Sequence, residues 1–229
     1  MSFSITLAHF CDKHGPKSIL CTQTTTVDQV DQFILPSFSK ESYCKSCLLM
    51  FPKSYSGENL TTLRTQDPKS EDIFITTQYS GVKFRLLNSI VRKCLSEEST
   101  VYDSKPMYFG DEFRGYSITQ SFKIKDLEAR GSERRYSFIV NSESEAAILQ
   151  NWDLIVENIT VIIDYLKESS IKIELQNSKN NEIFLRGKVQ HSKSLIELLS
   201  DDELFVKIHR WNSKLLRKLI KQDDIGNPK

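Results

Sequence analysis

Charge of one sign is what this sequence most lacks: 31 basic side chains stand against 30 acidic ones, a formal net charge of +1. Proteins that work on the phosphate backbone usually show a basic domain or stripe, so nucleic acid is excluded as the principal partner. Long hydrophobic runs are missing too. No stretch is long enough to span a bilayer, and the first residues lack the basic-then-apolar pattern of a secretory leader. The sequence therefore reads as cytoplasmic, with membrane contact only indirect, through partners. A phosphate-cradling glycine loop is absent, and no nucleophile, base and acid stand at a motif spacing, so there is no self-contained active site. What remains is ample for a core: 229 residues, 39% of them hydrophobic, read as a single domain over 1–229.

The five cysteines, Cys11, Cys21, Cys44, Cys47 and Cys94, are an odd number, and reduced thiols are the expected state. Cys44 and Cys47 form a lone C-x-x-C, whereas a structural zinc needs four ligands. Cys11, Cys21, His9 and His14 could supply the others, but they offer no recognisable second pair. Cys11 and Cys21 lie in apolar strand-like runs, where thiols act as small hydrophobes. No metal is therefore expected, and His14 reads as a turn residue bonded within its own loop.

Ser4 to Cys11 and Ser18 to Thr22 alternate around His14-Gly15-Pro16-Lys17, which predicts a hairpin. About 24–77 then has the composition of a polar, partly disordered insertion. Val82, Leu86, Leu87, Ile90, Val91 and Cys94 recur at helical spacing. Three strands follow, at Met107–Phe109, Tyr116–Ile124 and Tyr136–Val140. Next come two helices, each headed by an apparent capping box, Ser142-x-x-Glu145 and Ser200-x-x-Glu203. Between them, Ile171 to Leu175 and Ile183 to Leu185 suit either an extra hairpin or a flexible loop. This order predicts an α/β (α+β) domain: a five-stranded antiparallel sheet with one helix on one face and the later helices on the other.

The segment with the most chemistry is Asp126-Leu127-Glu128-Ala129-Arg130-Gly131-Ser132-Glu133-Arg134-Arg135, between two strands of the meander. Arginine is permanently charged and presents a planar fork of donors suited to carboxylates and phosphates. Gly131 allows a tight turn beside Arg130. Taken alone, such a loop is also an ordinary solvated turn.

The element order is similar to a longin domain, and three segments narrow the likeness to the folliculin family. The first is Ala8-His9-Phe10-Cys11-Asp12-Lys13-His14-Gly15-Pro16-Lys17-Ser18-Ile19-Leu20-Cys21-Thr22. The second is Pro106-Met107-Tyr108-Phe109-Gly110-Asp111-Glu112 with Phe122-Lys123-Ile124-Lys125-Asp126 and Ala129-Arg130-Gly131-x-x-Arg134-x-Tyr136-Ser137. Ser200-Asp201-Asp202-Glu203-Leu204 is a third, weaker match. The sequence departs from the family at Arg135, where an aromatic is usual, and in the polar segment that replaces an acidic insertion. It stops at Lys229, without room for the DENN-type domain that follows the longin domain in folliculin, so it resembles the short fungal form.

The resemblance implies a subunit of a GTPase-activating complex for a C/D-type Rag GTPase, in amino-acid signalling to the target-of-rapamycin kinase. It implies a longin–longin heterodimer with a folliculin-interacting-protein-like subunit, a Rag GTPase heterodimer as substrate, and peripheral recruitment to the vacuolar membrane. By direct match, Arg130 is the arginine finger, with Gly131 and Arg134 supporting its loop. No cofactor belongs to the chain itself; GTP and magnesium belong to the partner GTPase. The alternative is a non-catalytic longin adaptor that binds a partner subunit and small GTPases. A third reading, a zinc-stabilised module, would need stoichiometric metal.

Overall fold

The computed structural model describes residues 3–34, 43–52, 62–68, 70–79, 84–96, 104–126, 129–178 and 193–226, with backbone alone at 84–85, 130, 176–178 and 223–226. Seven strands form one antiparallel sheet: β1 Phe3–Cys11, β2 Gly15–Thr25, β3 Thr62–Gln66, β4 Ile73–Thr77, β5 Pro106–Asp111, β6 Gly115–Lys125 and β7 Glu133–Ser142. Their spatial order is β3-β4-β2-β1-β7-β6-β5. The five expected strands are present and longer than the alternation alone marked. The two additional strands, β3 and β4, come from within the polar segment, and β4 pairs with the second half of β2, from Cys21 opposite Thr77 to Thr25 opposite Ile73.

Helix α1 (Phe84–Cys94) covers one face. Its Leu87, Ile90, Val91 and Cys94 pack with Ala8, Cys21 and Ile139. Val82, expected on this helix, lies outside the described residues. The other face carries α2 (Glu145–Gln150), α3 (Trp152–Ser178), α4 (Leu195–Leu199) and α5 (Leu204–Gly226). There Phe3, Ile5, Leu7, Phe122, Tyr136 and Phe138 meet Ile155, Ile159, Leu166, Leu204 and Leu215 in the main core. Strand alternation accounts for the two faces: Phe138 and Val140 join the large core while Ile139 between them joins the small one. A bulge in β2, where Leu7 pairs with Leu20 and Ala8 with Ser18, adds Ile19 to the large core.

Three local expectations are corrected. Ser144, not Ser142, caps α2, its hydroxyl accepting from the Ala147 N–H; Ser142 is still in β7. The capping box lies at Ser194 and Glu197, at the start of α4, whereas Ser200 ends that helix in the left-handed region at φ 46°. Asp201 Oδ1 accepts from the Glu203 N–H before α5. Finally, Ile171 to Leu175 continues α3 rather than opening a hairpin, because the helix keeps one apolar side down to Ile173 on the core. Ile183 to Leu185 lies outside the described residues. Among the described residues, no helix is long and apolar enough to cross a membrane.

Candidate functional site: the arginine turn and the cysteine cluster beside it

Strand β6 ends at Lys125 and β7 begins at Glu133, so the arginine segment is the connection of a hairpin between two interior strands of the sheet. Three backbone hydrogen bonds of 3.0 Å shape it: Asp126 N–H to Ser132 O, Ala129 N–H to Asp126 O, and Ser132 N–H to Ala129 O. Arg130–Ser132 form a single tight turn. Gly131 at φ 77° and Ser132 at φ 59° are both left-handed. Nothing lies within 4 Å of where a Cβ on Gly131 would stand, so glycine is needed for conformation and not for space. Leu127 and Glu128 lie outside the described residues.

Arg134 sits at the base of this turn. Its Nε donates to Asp126 Oδ2 at 2.6 Å, and the two side chains are 6% and 2% exposed. Burial works against the guanidinium charge, and the Asp126 carboxylate overcomes it, leaving the Arg134 pKa above its ordinary value. By sequence Arg134 either braces the loop or pairs with Glu128 or Glu133. Glu128 lies outside the described residues, and Glu133 faces outward and meets Lys123 at 2.6 Å, while alternation turns Arg134 into the core side. Arg135, which the sequence alone would leave pointing to solvent, is half-buried because β7 has already begun. The three arginines are thus unlike one another: Arg134 is locked inside, Arg135 lies within a strand, and Arg130 opens the turn.

Register places a second group beside this one. His9 of β1 is opposite Tyr136 of β7, so Cys11 and Arg134 follow on their strands toward the same end of the sheet. His9 is buried and stacks on Tyr136 with ring centroids 5.8 Å apart. Burial pulls its pKa from 6.5 down to about 4, with the Cys11 charge opposing and the Arg134 charge assisting. Its Nε2 lies 3.3 Å from Cys47 Sγ. Cys11, His14, Cys44 and Cys47 gather there, with their ligand atoms all within 4.8 Å of one another. His14 does contact its own turn, through Cys11, but it also reaches Cys47 across 33 residues. Sequence reasoning named all four residues without joining them. The missed signal was the spacing of Cys11-x-x-His14, which equals that of Cys44-x-x-Cys47 and places each pair at a turn. Cys21 is not part of the group; it lies on the opposite face, against α1.

Comparison with known proteins bears on the arginine turn. The folliculin family profile, described as "Vesicle coat protein involved in Golgi to plasma membrane transport", matches residues 73–219 and so includes the turn. The chain is similar to Protein LST7 of Saccharomyces cerevisiae, at 36% identity over 96% of this chain and 98% of that protein. Folliculin-like protein bhd1 of Schizosaccharomyces pombe is 30% identical over 68% of this chain and 44% of its own length. Folliculin of Mus musculus is 23% identical over 95% of this chain and 45% of its own length. The chain thus matches nearly all of the first protein and less than half of the other two. It belongs to the folliculin family.

Proposed function

We propose that this chain is a subunit of a GTPase-activating complex and that Arg130 acts in the active site of a partner GTPase of the Rag C/D type. The observation that carries the reading is the division of labour in the turn. Arg134 is buried against Asp126 and holds the base, while Arg130 heads a tight turn beside an exposed, side-chain-free Gly131. A partner surface can approach such a turn closely without meeting a side chain at that residue.

The chemistry suits a guanidinium supplied from outside. GTP hydrolysis gathers charge on the oxygens of the transferring phosphoryl group, and a donated arginine accelerates it by on the order of 10³ to 10⁵. The GTPase brings the nucleotide, the magnesium and the attacking water. This chain brings one cation on a sheet-anchored turn, which fits the lack of any self-contained active site in its sequence. Its activity then depends on a longin–longin partner subunit of the folliculin-interacting type, and its place of work is the vacuolar surface during amino-acid signalling.

The test is single-turnover GTP hydrolysis by a Rag heterodimer in the presence of the assembled complex. Arg130→Ala and Arg130→Lys leave assembly unchanged by size-exclusion chromatography and lower stimulated hydrolysis by on the order of 10³. The lysine variant fails with alanine because an ammonium lacks the planar fork. Unchanged hydrolysis by the alanine variant would instead identify a non-catalytic adaptor.

A further inference from the structure

The cluster at the end of β1 has a use that the arginine turn does not require. Cys11 Sγ lies 3.5 Å from Cys44 Sγ and 3.6 Å from His14 Nδ1. Cys47 Sγ lies 3.6 Å from Cys44 Sγ and 3.4 Å from His14 Nδ1. A zinc ion bound tetrahedrally, with Zn–S about 2.3 Å and Zn–N about 2.0–2.1 Å, sets sulfurs roughly 3.8 Å apart and sulfur from nitrogen roughly 3.6 Å apart. The four separations given lie within about 0.3 Å of those values, and all four ligand atoms lie within 4.8 Å of one another. They do not fit a disulfide, whose sulfurs approach to about 2.05 Å, and all five cysteines are free.

We propose that Cys11, His14, Cys44 and Cys47 bind one structural zinc ion. Three thiolates and one imidazole are a closed, soft ligand set, with no position left open for substrate. Each ligand pair sits on a tight turn. Cys11-x-x-His14 is the β1–β2 turn, where the backbone N–H groups of Lys13 and His14 face the Cys11 sulfur. Cys44-x-x-Cys47 is closed by the Cys47 N–H bonding to Cys44 O at 3.0 Å.

An outer layer supports the sulfurs, as metal sites generally require. His9 Nε2 is positioned to donate to Cys47 Sγ, and the Ser46 hydroxyl to Cys44 Sγ at 3.0 Å. Gln78 fixes the loop, its Nε2 donating to Cys47 O and its Oε1 accepting from the Leu49 N–H. Leu49 then enters the main core beneath the loop. The ion would tie the 43–52 loop to the β1–β2 turn, a link of more than thirty residues along the chain that otherwise rests on a few side-chain contacts.

The test uses the full chain, purified under reducing conditions without chelator, and is independent of any GTPase assay. Elemental analysis should find about one zinc per chain. Cobalt(II) alone, added to zinc-stripped protein, should give the intense visible bands of a tetrahedral ion with thiolate charge-transfer absorption. His14→Cys keeps four ligands and should keep the stoichiometry while moving those bands toward an all-thiolate spectrum. Cys21→Ser, on the other face of the sheet, should leave both readouts unchanged, and Cys47→Ser should lose most of the metal. A folded chain that contains no zinc and takes up no cobalt would overturn the proposal. So would a cobalt spectrum that ignores His14→Cys.

Discussion

Arg134 carries more of the turn's stability than its place in a loop suggests. Its guanidinium bonds Asp126 in a site where both are nearly excluded from water. Removing one member of such a pair leaves the other charged and desolvated, at a cost of about 3–5 kcal/mol, whereas removing both costs much less. Arg134→Ala should therefore lower the urea midpoint sharply, and Asp126→Asn combined with Arg134→Gln should recover much of the loss. A double variant that loses the sum of what Asp126→Asn and Arg134→Gln lose singly would show that the pair is not coupled. The contrast with Arg130 is what makes the variants informative together. Arg130→Ala, at a turn residue, should leave the melting curve close to wild type while it removes stimulated hydrolysis. Sequence alone could not assign Arg134 to Asp126, because eight residues and a turn separate them, and the alternation of β7 decides which neighbour the arginine meets.

At the scale of elements, the strand pair β3–β4 shows what the sequence concealed and why. Strands β1, β2, β5, β6 and β7 alternate apolar and polar residues and were legible. Thr62–Gln66 and Ile73–Thr77 are five residues each, rich in threonine, and flank the polar run from Gln66 to Asp72. Besides its ladder with β2, the pair is held by side chains of α5, which is more than a hundred residues away. His209 Nε2 lies 2.7 Å from the Thr65 hydroxyl, and His209 Nδ1 lies 2.7 Å from that of Thr76. Thr76 meets Thr22 at 2.7 Å, and Asn212 Nδ2 donates to Thr22. Arg217 Nε donates to Asp67 Oδ2 at 2.6 Å. This buried polar network also sets a pH dependence. Burial, assisted by the Arg210 charge, pulls the His209 pKa from 6.5 down to about 4. The unfolded chain then binds the proton more readily than the folded one. The resulting stability is complete above about pH 6.5 and is lost as pH falls through 4, by up to ~3 kcal/mol. Denaturation of wild type and His209→Gln across this range should give two curves that converge toward acid. A constant offset between them would show that His209 does not titrate on unfolding.

At the scale of the whole molecule, the two ends of the sheet do different work. The β3–β4 connection and its Asp67–Arg217 bond lie at the end where β1 begins, since Ile73 pairs with Thr25 and Ser4 with Gln23. The β1–β2 turn, the Cys44–Cys47 loop and the arginine turn share the other end, where His9 pairs with Tyr136 and Lys125 with Glu133. The stack of His9 on Tyr136, continued through Phe122 at 5.5 Å, joins the proposed zinc site to the strands that carry the arginine turn. If the ion holds the first of these turns, removing it should loosen the second before the far end responds, because local opening follows contiguous packed units. Hydrogen–deuterium exchange of the zinc-loaded chain with and without chelator measures this. Faster exchange is expected in peptides covering 11–15, 43–52 and 129–136, with 62–77 unchanged. Faster exchange everywhere would mean that the ion supports the entire fold. Faster exchange confined to 11–15 and 43–52 would mean that the arginine turn stands on its own, held by its backbone hydrogen bonds and by Arg134 on Asp126.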